Sequence, residues 1–202
     1  MKLEELVQFA INKKNFLSIH DYIDFYYKYL CFIKDGFQAE IISQNENHYC
    51  FYQYKKDGNY NITRPINSNL MYKAEEFLVN SSKALEALHQ LREEQNANED
   101  FRIHLIRTIY TILQSIGATL DALPSGKSNQ ARKVNGDLFE MLIRLLITYL
   151  KVDCVSGTFQ VKVKDDNGVV LFPTSYQHDL LMRKEGKLKV IGSVKTSSKD
   201  PR

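Results

Sequence analysis

Two runs near the C-terminus constrain the chain more than any other part of it. They are His178-Asp179-Leu180-Leu181-Met182 and Val190-Ile191-Gly192-Ser193-Val194-Lys195-Thr196-Ser197-Ser198. Each reads as a strand. Between them Arg183-Lys184-Glu185-Gly186-Lys187 is charged and holds one glycine, which suits a hairpin turn. Strand alternation puts Ser193 and Lys195 on one side, and pairing of the two strands brings Asp179 to the same end of a small sheet. A carboxylate there can hold a divalent metal through oxygen. A neighbouring ammonium can orient an attacking water or neutralise charge growing on a phosphate oxygen.

The 202 residues suffice for one large domain or two small ones, and at 44% hydrophobic the chain can build a core. The net charge of +3 says little about partners, but its distribution says more. Residues 183–202 carry seven Lys or Arg against two acids, so positive charge gathers beside Asp179 and Lys195. Three cysteines, Cys31, Cys50 and Cys154, have no CxxC spacing. They argue against zinc and a disulfide framework, and read as buried apolar thiols of a reducing, cytoplasmic protein. Met1–Lys14 is charged and amphipathic, unlike a signal peptide, and no apolar run reaches the roughly 18 residues of a membrane span.

From the N-terminus, Leu3, Leu6, Val7 and Ala10 predict a helix over 3–12. Ser18 and Asp21 suit the start of a second, from His20 to about Phe32, stopped by Asp35-Gly36. Residues 37–64 read as strands with a turn at Lys56-Asp57-Gly58. Fourteen of the 23 aromatic residues lie in the first 60 positions, either as the core of an N-terminal subdomain or as an exposed stacking surface. Asn67-Ser68-Asn69 suits the cap of a helix over about 70–95, with Leu70, Met71, Ala74, Leu78, Leu85, Leu88 and Leu91 on its apolar face. After the polar break Asn96-Ala97-Asn98, Phe101, Leu105, Ile109, Ile112, Ile116 and Leu120 predict a helix over 99–121. The short connection makes the two an antiparallel pair. Residues 1–122 thus form a mainly helical region with a β segment at 37–64, suited to recognition or dimerisation.

Residues 123–134 read as a basic linker. Gly126-Lys127-Ser128 matches the end of a phosphate-binding loop, but Asp121 stands where its first glycine belongs and no hydrophobic strand precedes, so the motif is rejected. Asn135 suits the cap of a largely apolar helix over 136–150. Glu140 in its early turns suits the helix dipole, a metal site, or an i,i+4 pair with Arg144. Thr158–Lys164 alternates, Asp165-Asp166-Asn167-Gly168 is a hairpin turn, Val169–Phe172 returns, and Pro173 interrupts the run into His178 and Asp179.

This order, a Glu-bearing helix, then an Asp, then a strand ending in Lys, resembles the PD-(D/E)xK nuclease superfamily. Gly136-Asp137-Leu138-Phe139-Glu140 and Gly192-Ser193-Val194-Lys195-Thr196-Ser197-Ser198-Lys199-Asp200 are most similar to Type II restriction endonucleases. The resemblance covers about 130–202. It implies an α+β fold (mixed α/β), in which the helical N-terminal part precedes a restriction-endonuclease-like core over 135–202 with a small mixed sheet. It also implies that Asp179 is the central metal-binding carboxylate, Lys195 the catalytic lysine and Glu140 the helix acid that reaches the metal. His178 stands where the family has Pro. Ser193 stands two before Lys195, where an acid is usual, so Glu140, or an acid from beyond Arg202, would supply the missing charge. Seven residues follow Lys195, where the family core continues with a helix and at least one strand. The expectation is a core shortened at its C-terminus or completed by another chain.

The activity so implied is magnesium-dependent hydrolysis of double-stranded DNA, with manganese as a substitute, by a homodimer whose cognate DNA methyltransferase belongs to the same system. Thr196, Ser197, Ser198 and Lys199, with the linker's Lys127, Arg132 and Lys133, would contact the phosphate backbone. Two other readings stay open: a catalytically silent or truncated DNA-binding module, and a scaffold in which Asp179 and Lys195 form an ordinary salt bridge.

Overall fold

The computed structural model describes residues 2–33, 37–42, 48–56, 59–94, 98–124 and 126–195. The expected breaks at Asp35-Gly36, Asp57-Gly58 and Asn96-Ala97 lie outside them, as do Thr196, Ser197, Ser198 and Lys199. The architecture is α+β, and the chain divides into two compact units, residues 1–138 and 139–202.

In the first unit α1 (Leu3–Ile11) buries Leu3, Leu6, Val7 and Ala10, the apolar stripe of its sequence. The entry to α2 (Ile19–Ile33) is held by a reciprocal cap. Asp21 Oδ2 accepts from the backbone N–H groups of Leu17 and Ser18, at 2.9 and 2.7 Å, and the Asp21 N–H donates to Ser18 Oγ at 3.3 Å. Phe16, Tyr22, Phe25, Tyr26 and Tyr29 are buried, so the helical part of the aromatic cluster is core. The polar tips find partners: Tyr22 Oη donates to the Leu138 carbonyl at 2.7 Å and Tyr26 Oη to the Tyr72 carbonyl at 2.6 Å. Cys31 departs from expectation. It lies on the exposed side of α2, whereas Leu30 and Ile33 face inward; Cys154 is buried.

Strands β1 (Phe37–Ile42), β2 (His48–Lys56) and β3 (Asn59–Ile62) form an antiparallel sheet in that order, and β4 (Ile66–Asn67) also pairs with β2. β4 is absent from the sequence reading and displaces the next helix start. Asn67 closes a turn, accepting from the Asn69 N–H through its side chain at 2.9 Å and from the Met71 N–H through its carbonyl at 3.0 Å. Helix α3 therefore begins at Ala74 and runs to Glu94, with Leu70 and Met71 outside it. Its buried face is Phe77, Ser81, Ala84 and Leu88, because Phe77 meets the Tyr26 ring edge-on at 3.9 Å; Leu78 is turned outward.

Helix α4 (Glu99–Asp121), capped by the Asn98 side chain on the Phe101 N–H at 2.8 Å, packs against α1, α2 and α3. From Ser115 to Leu120 every residue is buried. Burial on several sides needs small residues whose hydroxyls are satisfied. Ser115 Oγ donates to the Thr111 carbonyl and Thr119 Oγ1 to the Ser115 carbonyl, each at 2.8 Å. Arg64 reaches the last turn as a fork on Asp121, with both bonds at 2.6 Å. Gly117 leaves room for that guanidinium, since a Cβ there would lie 2.6 Å from Arg64 Nη1.

Helix α5 (Ser128–Tyr149) starts at Ser128, eight residues before the expected Gly136, so 128–134 is helix where a linker is expected. In the second unit α5 leads to a sheet ordered β5 (Asp153–Lys164), β6 (Val170–Lys184), β7 (Lys187–Gly192). Both connections are hairpins, so the sheet is antiparallel rather than mixed. Glu185 and Gly186, with φ of 54° and 73°, make the two-residue turn between β6 and β7. At the other hairpin Asp165 Oδ1 accepts from the N–H groups of Asn167 and Val169 at 3.0 and 2.8 Å. Pro173 does not break β6. It pairs with Lys162 on one side, and β7 reaches only Leu180–Lys184, so its missing N–H removes no bond to a third strand.

Ile116, fully buried in the C-terminal half of α4, is the test of this core. Ile116→Ala is expected to cost about 2–5 kcal/mol, read as a lowered denaturant midpoint. Leu17→Ala, at a side chain 71% exposed, should stay within about 0.5 kcal/mol of the parent.

Candidate functional site

Two bulges on the sheet of the second unit set the surroundings of Asp179. Val155 pairs with Leu181 and Gly157 with His178, so β6 spends two residues, Asp179 and Leu180, opposite the single Ser156 of β5. On the other side Met182 pairs with Val190 and Arg183 with Leu188, which makes Lys189 the extra residue of β7. That shift pairs Leu180 with Gly192, and one step further along the same register Asp179 faces Ser193. Without it Asp179 would face Gly192. Gly192 itself is tightly covered: a Cβ there would lie 3.2 Å from Leu180 Cδ1 and 3.3 Å from Leu180 Cβ.

The consequence is a carboxylate held on two donors. Ser193 Oγ donates to Asp179 Oδ2 at 2.9 Å, and the Val194 backbone N–H donates to the same oxygen at 2.7 Å. The Val194 N–H is the chief reason that the Asp179 carboxyl lies below its ordinary value. The Ser193 hydroxyl and the charges of Lys195 and Arg144 act in the same direction, against partial burial. Lys195 is exposed, and its charge is close enough to favour the Asp179 anion.

The helix acid is tied in through an arginine. Arg144 Nη1 lies 3.8 Å from Glu140 Oε2, the i,i+4 pair of the sequence reading, and donates to the Asp179 backbone carbonyl at 3.3 Å. The bulge frees that carbonyl from regular pairing with β5, and a buried acceptor needs a partner. The charge of Arg144 is also felt at Cys154 on β5, whose thiol burial pushes up and whose neighbour Asp153 adds to the rise. Both Glu140 and Arg144 are part-buried, with side chains 29% and 22% exposed.

Asp179, Ser193 and Glu140 offer hard oxygen donors, the chemistry that suits a magnesium-like ion held by one or two carboxylates with water and substrate phosphate filling the remaining positions. Among the described residues no three His, Cys, Asp or Glu side chains gather as a metal cage. His178 packs its ring against Tyr176 at 6.4 Å. Lys127, Arg132 and Lys133 are exposed at the start of α5, in the first unit. Two contributors have no sequence signal of their own. The Val194 amide is backbone, and Arg144 meets the Asp179 carbonyl across 35 positions.

No protein-family description matches the sequence, and no curated protein matches it. Among solved structures the chain is similar to the crystal structure of the Type IIP restriction endonuclease Kpn2I, with a TM-score of 0.53 and 19% identity over 77% of this chain. It spans half the length of that protein. Because residues 135–202 are only a third of the chain, coverage of 77% takes in much of the N-terminal region, which the sequence resemblance leaves out. No described helix is long and apolar enough to cross a membrane.

The held carboxylate has a pH signature. Its folded value is lowered, so its contribution to stability is complete above the ordinary value of about 3.9 and is lost as pH falls through the lowered one. Carboxyl carbon NMR should show Asp179 titrating below the ordinary range. In Ser193→Ala it should move part of the way up, since the Val194 N–H remains. The chain thus shares its fold with part of that solved structure, and its C-terminal sheet carries an Asp179 carboxyl held below the ordinary value by the Val194 N–H.

Proposed function

We propose that the protein is a metal-dependent endodeoxyribonuclease that hydrolyses phosphodiester bonds of double-stranded DNA in the manner of Type II restriction enzymes. The observation that carries the reading is the Asp179 carboxylate, kept charged by the Val194 amide and the Ser193 hydroxyl with Lys195 beside it. The fold shared with a Type IIP restriction endonuclease supports it.

Asp179 and Glu140 would hold Mg²⁺, or Mn²⁺ in its place. When bound, the ion polarises the scissile phosphate and lowers the pKa of a water. Ser193 stands where the family's second acid does. Its role here is to donate to Asp179 and fix the carboxylate plane, leaving Glu140 to supply the second negative charge. Lys195 orients the attacking water and stabilises the charge that develops on the phosphate oxygens. Thr196, Ser197, Ser198, Lys199, Lys127, Arg132 and Lys133 contact phosphates and set position without reading sequence. A two-fold homodimer matches palindromic DNA, and a cognate methyltransferase would protect the host's own sites.

A second reading has its own observation. Both donors to Asp179 fall on one oxygen, and the partner position is a neutral serine, which equally suits a DNA-binding module that does not cut.

Plasmid cleavage with Mg²⁺ or Mn²⁺ separates the two. The nuclease reading expects cleavage that Asp179→Ala or Lys195→Ala lowers by about a hundredfold or more, with thermal melting little changed. Cleavage that persists in excess chelator would count against it. Salt-sensitive binding with no cutting would establish the second reading instead.

A further inference from the structure

The position of Arg144 bears on how a cation would enter this site, and the inference rests on the metal-site reading of Asp179 and Glu140. One guanidinium nitrogen lies 3.8 Å from the Glu140 carboxylate and 3.3 Å from the Asp179 carbonyl. Its charge is also among the causes that hold Asp179 ionised. A fixed positive charge therefore already lies between the helix acid and the bulged strand. We infer that Arg144 is an internal counter-ion of the site: it pairs with Glu140 when no metal is bound, and an incoming divalent cation must compete with it for that carboxylate.

The geometry explains why an arginine suits the position. A guanidinium carries several donors in a rigid plane and stays charged at any working pH. It can satisfy the bulge carbonyl and neutralise the acid together. Without it, the part-buried Glu140 carboxylate would have less compensation, and a charge in partial burial is costly when its counter-charge is removed. The same charge repels a metal ion. At separations of a few ångströms one unit charge shifts a cation's binding constant by an order of magnitude or more, even when partly screened. Arg144 would thus keep the site's affinity for free divalent ions low, so that stable loading waits for the added negative charge of a DNA phosphate.

The test is Mn²⁺ binding to the DNA-free protein, followed by calorimetry or by electron paramagnetic resonance of free Mn²⁺. Arg144→Gln keeps a side-chain N–H donor and removes the charge. It should bind Mn²⁺ about tenfold more tightly than the parent. Arg144→Lys keeps the charge and should stay within about threefold. Unchanged or weaker binding in Arg144→Gln overturns the inference, as does a tenfold gain in Arg144→Lys, or no Mn²⁺ binding by any form. Should Arg144→Gln fail to fold, Arg144→Met removes the same charge and carries the same two outcomes. Glu140→Gln separates this idea from the reading beneath it. If it weakens Mn²⁺ binding while Arg144→Gln changes nothing, the metal site stands and the counter-ion role is wrong. If Glu140→Gln leaves binding unaltered, Glu140 is no ligand and both ideas fall.

Discussion

A single backbone N–H governs the chemistry of the C-terminal sheet. The Val194 amide donates to Asp179 at 2.7 Å and does more than any other group to keep that carboxyl charged. A side-chain donor can rotate away, but an amide at the end of a strand is fixed by the register of the strand that carries it. The two bulges set that register. One gives β6 the extra residue that turns Asp179 out of regular pairing with β5, and the other gives β7 the step that brings Ser193 and Val194 opposite it. The electrostatics of the site are therefore a property of strand pairing as much as of residue type.

The first unit solves a different problem. Its core is built largely from aromatic rings, several of them with polar tips that must be satisfied on burial. Tyr22 and Tyr26 take backbone carbonyls, and Tyr72 pairs its hydroxyl with His104 Nδ1 at 2.7 Å while its ring lies beneath the Arg107 guanidinium. Helix α4 meets three other helices by using small residues that bond within the helix. These arrangements specify one packing more tightly than an all-aliphatic core would, because the Tyr22, Tyr26 and Tyr72 rings must each be oriented to reach their partners.

Much of this is legible in the sequence, and the limits are physical. Apolar spacing marks α1 and α4 closely, and the Ser18 cap follows from a short polar side chain ahead of an apolar run. Gly186 marks its turn because glycine takes positive φ freely, and Glu185 beside it adopts positive φ without that freedom. Helix α3 is misread at its start because Leu70 and Met71 keep helical spacing while the backbone is committed to a turn on Asn67. Helix α5 is misread because exposed Lys and Arg in its first turns look like linker composition, although both are good helix formers. Pro173 misleads because pairing on one side or two is a tertiary fact. At the candidate site, the nearness of Asp179 to the Ser193–Lys195 segment follows from counting along a hairpin. The bulges do not, and nor does the Arg144 contact, which depends on how α5 lies on the sheet.

Lys189, the surplus residue of β7, is exposed and makes no argument for itself by chemistry. Its importance is arithmetical. Many side chains would serve at that position, since what matters is that the residue there stays outside the pairing. Drawing residue 189 into the regular ladder would leave the turn intact and bring Gly192 across from Asp179. A site with every functional group still encoded would then lose its hydroxyl donor. A lineage carrying this sheet would be expected to tolerate varied residues at 189 and to resist changes in the length of the strand around it.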